Sequence, residues 1–184
     1  MSTSFTADRE LLGSEEAFLP AYVARMTESA LLFCVHRTSR RSESEVAAAL
    51  KAGDPRCHDC FRHYLSLQIA EYLRKLDDNL VGVYSYSYGD SEEEGEERSS
   101  SPTEPLNLIL RVKRKTAALN AVLAALDGAI VEEYRKLIAP VGDRMESFLD
   151  AHAVDDEEAQ QGTGLAAVLK SAFTPPTPLW SKSQ

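Results

Sequence analysis

Between two long amphipathic stretches the chain changes its hydrophobic period from about four to two, and that switch restricts the fold more than any other feature. Phe61, Leu65, Ile69, Tyr72, Leu73 and Leu76 recur on one helical face, which predicts a helix over about 56–77. Then "LVGVYSYSYG" alternates: Tyr84, Tyr86 and Tyr88 fall on one side with Leu80 and Gly82, and Val81, Val83, Ser85 and Ser87 on the other. "PLNLILRVKR" puts Leu106, Leu108, Leu110 and Val112 on one side, with Asn107, Ile109, Arg111 and Lys113 opposite. Alternation rich in Val, Ile and Tyr is a half-buried strand pattern. The helical period returns in Leu119, Val122, Leu123, Leu126, Ile130, Tyr134, Leu137 and Ile138, which predicts a helix over about 115–138 ended by Pro140. A two-stranded ribbon is at best marginally stable in water. The expected fold is therefore mostly α, of the α+β class: a helical domain with an inserted antiparallel two-stranded ribbon, about 80–88 and 106–113, packed on helices 56–77 and 115–138.

The flanking segments extend this plan. Leu19, Tyr22, Val23, Met26, Ala30 and Phe33 predict a helix over about 19–36, although its end, 29–36, fits helix or strand equally. Ser42 with Glu45 makes a capping box for a short helix over 43–52; Gly53 fits a left-handed C-cap and Asp54-Pro55 restarts the chain. Residues 1–18 are read as a flexible N-terminus, 19–152 as one globular domain, and 89–104, acidic and aperiodic, as a mobile loop. Met145, Phe148 and Leu149 suggest a short helix over about 142–152. Residues 153–184 read as a linker, a short helix in "LAAVLKSAF" and an extended tail.

A net charge of −9 argues against a nucleic-acid partner, which needs a basic surface. No continuous apolar run approaches the roughly 18 residues of a membrane span, and the N-terminal residues lack the basic and apolar regions of a secretory signal. With three cysteines, the expectation is a cytoplasmic protein without a structural disulfide.

Four constellations bear on chemistry. Cys57 and Cys60 have a zinc-ligand spacing, and Cys34 with His36 would complete a Cys₃His set. The ordinary reading of the same cysteines is buried apolar packing with no metal. Arg111, Lys113, Arg114 and Lys115 form a basic cluster able to hold an anion, or to act as a solvated edge that discourages aggregation. Tyr84, Tyr86 and Tyr88 offer area and hydroxyls to a second protomer. Arg56 and His63, six residues between them, form a pattern that resembles the arginine–histidine motif of HEPN-type ribonuclease domains. The resemblance covers this segment alone, implies a helical fold and RNA cleavage by that pair, and is departed from by the ribbon. The chain carries no G-x-S-x-G, P-loop or H-E-x-x-H motif. The first expectation is a non-catalytic protein-association domain without a cofactor, homodimeric through the tyrosine ribbon or helix 115–138. The alternatives are the zinc-stabilised module and the ribonuclease.

Overall fold

The computed structural model describes residues 7–86, 104–138, 145–172 and 175–182, with side chains described from Phe18 onward. Tyr88, most of the acidic segment 89–104, and Pro140 lie outside the described residues. The opening helix, α1 (Ala7–Arg37), starts well before residue 19 and contains Pro20 in its interior. Pro20 is exposed, so its missing N–H falls on the water side of the helix. The stretch 29–36, ambiguous by period, is helical.

Local chemistry sets the next two helices. In α2 (Glu43–Lys51) the Ser42 hydroxyl accepts the Glu45 N–H at the N-terminus, and Gly53 follows the helix at φ +74°, a conformation that favours glycine. In α3 (Pro55–Leu76) Pro55 occupies the first turn, where its missing donor costs nothing, and the Asp54 carboxylate accepts the Cys57 N–H at 2.9 Å. That bond lowers the Asp54 pKa against the opposing effect of burial, with a lesser contribution from Arg40 at 2.9 Å.

The helices pack through matched stripes. Tyr22 meets Tyr72 with ring centroids 4.8 Å apart, and Phe33 stacks on Tyr64 at 4.4 Å. These two pairs run in opposite sequence order, so α1 and α3 are antiparallel. Val23, Ala30 and Cys34 of α1 and Phe61 and Ile69 of α3 are fully buried, as are Leu126 and Ile138 of α4 (Ala117–Ile138). Burial of each large side chain contributes about 1.5–3 kcal/mol.

The sheet is larger than the sequence suggested. β1 (Leu80–Ser85) and β2 (Leu106–Val112) do pair antiparallel, but two further strands flank them in the order β3-β2-β1-β4. The expected ribbon is therefore the centre of a four-stranded mixed sheet. The first addition, β3 (Leu149–Val154), replaces the helix expected over 142–152 and lies parallel to β2, with Leu106 opposite Leu149 and Arg111 opposite Val154. Parallel neighbours need a long crossover, which α4 supplies. Asp127 of α4 secures the far end: its carboxylate accepts the Phe148 and Leu149 N–H groups, each at 2.7 Å, and the Ser147 hydroxyl at 3.1 Å. Met145, Phe148 and Leu149 are buried as the helical spacing implied, but by an extended chain.

The second addition, β4 (Thr177–Ser181), comes from the expected tail and pairs antiparallel with β1. Pro178 is tolerated there because β4 is an edge strand. The segment read as a linker contains α5 (Asp156–Gln161), which carries a full capping box between Asp155 and Glu158. α6 (Ala166–Leu169) follows it.

Candidate functional site

A single bulge decides which side of the sheet each β1 residue faces. Leu80 pairs with Val112 and Gly82 with Arg111, so Val81 is an extra residue in the ladder. Strict alternation would group Leu80 with the tyrosines. The bulge instead sends Leu80 and Val83 to the helical core and Gly82 and Tyr84 to the opposite side, with Tyr86, Ile109 and Val154. The anticipated β1 faces are corrected accordingly, whereas those of β2 stand, with Leu108, Leu110 and Val112 in the helical core.

The opposite side is covered by α5 and α6. Tyr86, Ile109, Val154 and Ala166 form a small buried cluster there, flanked by Tyr84, Ala159, Leu165, Val168 and Leu169. Beside it opens a cleft of about 460 Å³ lined by Tyr84, Arg111, Asp156, Ala159, Gln160, Leu169 and Lys170. Its floor depends on a glycine. A Cβ at Gly82 would come within 2.8 Å of the Tyr84 ring, so the missing side chain lets that ring lie back along the strand.

The cleft's charged groups are only partly satisfied. An Arg111 Nη2–H donates to Asp156 at 3.4 Å, longer than a good charge-assisted bond, and Arg111 Nε is buried with no hydrogen-bond partner. Lys170 Nζ donates to the Gln160 carbonyl at 3.1 Å. Two cations and one carboxylate leave the lining with a local positive excess on a chain of net charge −9.

The predicted basic cluster is divided by this geometry. Arg111 lines the cleft. Lys113 and Arg114 are exposed, and their backbone N–H groups donate to the Asn79 carbonyl and side chain, at 3.0 Å each. Lys115 pairs with Glu158 at 2.6 Å. Of the tyrosine stripe, Tyr84 lines the cleft and Tyr86 is only 9% exposed among residues of its own chain. Arg56 and His63 are both exposed on one face of α3, seven positions or about 10 Å apart along the axis. Cys34 lies beside Cys60 and near Cys57, and burial raises its thiol pKa, as it does that of Cys57. His36 is exposed, and among the described residues no group of three or more His, Cys, Asp or Glu is arranged to hold a metal ion.

Sequence reasoning missed a buried polar chain centred on His58, between Cys57 and Cys60. His58 is fully buried; its Nε2–H donates to the Leu50 carbonyl at 2.8 Å, which leaves Nδ1 to accept the Tyr134 hydroxyl at 2.7 Å. Burial lowers the His58 pKa, opposed by the Leu50 bond and aided by the nearby Arg62 charge. Burial also raises the Tyr134 pKa to about 12, with Arg62 pulling it back in part. Arg62 itself sits 5.3 Å from the Phe148 ring centroid. The links join α2, α3 and α4, so this histidine is a structural tie. The stripe of α3 carried no warning, because a buried histidine occupies an apolar position.

Phe18 and Leu32 are the large apolar side chains exposed among the described residues, at 71% and 51%, and both lie on α1. Phe18–Arg37 is also long and apolar enough to cross a membrane by length and composition, with mean hydropathy 1.3. No continuous apolar run is present, because Arg25 and Glu28 interrupt the stretch, but they do not lower its average enough to exclude it by composition. One side of the stretch is buried against the rest of the fold.

No family model, no curated protein and no solved structure matches this chain.

Proposed function

We propose that the chain is a non-catalytic protein-association domain that forms a homodimer through the outer face of α1. The observation that carries this reading is the exposure of Phe18 and Leu32 on one helix. They are 14 residues apart, two heptads, and so recur on nearly the same face about 21 Å apart along the axis. Exposed Arg25 and Glu28 lie between them. A second copy related by a two-fold axis would run α1 in the opposite direction. Phe18 would then meet Leu32 twice, and Arg25, midway between them, would lie at the two-fold axis, with Glu28 of the second copy three residues, or about 4.5 Å, further along to offset the like charge.

The tyrosines of β1 are less suited to a second protomer, since residues of α5 and α6 pack against Tyr84 and Tyr86. Sedimentation velocity of the full chain over a wide concentration range tests the α1 interface. A dimer that Phe18→Ser and Leu32→Ser each shift toward monomer, with unchanged circular dichroism, supports it. A monomer at every concentration, or a dimer indifferent to both changes, refutes it.

A further inference from the structure

We propose that the cleft between β1, β2, α5 and α6 binds a small organic monocarboxylate with an apolar, aromatic-sized body. The site goes beyond the association reading and uses a different surface. Its volume of about 460 Å³ lies within the range of small-molecule sites.

The head group follows from the donors. Arg111 offers a planar fork, suited to two carboxylate oxygens, and its contact to Asp156 at 3.4 Å is too long to hold the fork tightly. Its Nε is covered and lacks a partner, so the long Asp156 contact is the one described bond that holds the guanidinium, and its Nη groups remain able to take a stronger acceptor. Lys170 spends one described hydrogen bond, on the Gln160 carbonyl, out of three donors. The charge follows from the balance. Arg111 and Lys170 against Asp156 leave one positive charge, which matches a monoanion. A phosphate dianion would bring its second charge against the Asp156 carboxylate.

The body of the ligand follows from the remaining wall. Tyr84, Ala159 and Leu169 supply the apolar part of the lining, and the Tyr84 ring lies over Gly82, the cross-strand partner of Arg111. The Tyr84 ring is laid back by the close approach at Gly82 and presents a flat surface. An aromatic or branched aliphatic group would stack there while the carboxylate reaches Arg111.

The test is a two-dimensional amide NMR titration of the full chain with benzoate, benzamide and phenyl phosphate at fixed ionic strength. Benzoate is expected to produce saturable shifts at the amides of Ala159, Gln160, Leu169 and Lys170, with benzamide inert and phenyl phosphate weaker. Arg111→Gln should weaken benzoate at least about tenfold, the loss of one charge-assisted bond. Lys170→Gln should weaken it less, and Lys113→Gln, outside the cleft, not at all. Lys170 is exposed, so Lys170→Gln decides the matter should Arg111→Gln fail to fold. Shifts that never saturate, equal binding of benzamide, tighter binding of phenyl phosphate, or equal loss in Lys113→Gln overturns the assignment.

Discussion

The two sides of the sheet share their strands and differ in their cover. On one side, Leu80, Val83, Leu108, Leu110 and Val112, all at most 1% exposed, belong to one continuous core with the apolar stripes of α1, α3 and α4. On the other, helices of six and four residues cover Tyr86, Ile109 and Val154, and leave a charged cleft beside them. A long helix buries a continuous stripe and excludes water along its length. A one-turn helix covers a patch, and the polar residues at its ends become the walls of whatever remains open. Stability should therefore concentrate on the first side and binding on the second.

The largest effect should come from the core side. Phe61→Ala removes a fully buried ring that lies 5.6 Å from the Tyr134 ring, and should cost about 3–5 kcal/mol in urea unfolding. A loss below about 1 kcal/mol would mean that the helical layer is loosely packed, since such sites collapse only in part.

The next effect tests the crossover that joins the two sides. Asp127→Ala removes the acceptor for the Phe148 and Leu149 N–H groups and should cost about 1.5–3 kcal/mol. Hydrogen exchange should then rise first at β3, ahead of α3. Exchange that rises uniformly would show that Asp127 supports the whole fold and not the β3 end alone.

Acid titration provides the third test. Burial lowers the folded-state His58 pKa below 6.5, so the unfolded chain binds a proton that the fold excludes. The contribution is complete above about pH 6.5 and declines as pH falls, by up to about 1.4 kcal/mol per pH unit, until the folded value is reached. Asp54, with a lowered carboxyl pKa, adds a further loss only below about pH 3.8. Chemical denaturation at a series of pH values should show the first decline in the native chain and a flatter profile in His58→Gln. An identical decline in both would remove His58 as its source.

The smallest effect belongs to the thin side. Leu169→Ala, at a half-buried position in the cleft wall, should change stability by less than about 1 kcal/mol, because little apolar surface is lost there. A cost approaching that of Phe61→Ala would erase the contrast between the two sides.

The helices were legible because each advertises its own stripe. α2, α3 and α4 lie within a residue or two of their expected places, and the Ser42 hydroxyl caps α2, but the expected box is half formed because the Glu45 carboxylate accepts the Arg41 N–H and not that of Ser42. β3 was hidden because Met145, Phe148 and Leu149 also fit a helical step, and a six-residue alternation with two alanines is a weak signal. The capping box at Asp155 and Glu158 was a readable start for α5, obscured by four successive acids that suggested a linker. The cleft was half legible. Arg111 stood out in a basic run, whereas Lys170 lies 59 residues away and joins it only through the fold.

By itself the sequence determined what local periodicity and capping can determine: the principal helices, the two central strands and the inward side of β2. Those signals act over a few residues, through backbone geometry and side-chain spacing. Only the tertiary structure decided the bulge at Val81 that turns Tyr84 away from Leu80, the pairing of β3 and β4, and the meeting of Arg111 with Lys170. Strand register and cleft formation depend on partners distant in the chain, and a one-residue shift in the ladder reverses every side chain beyond it.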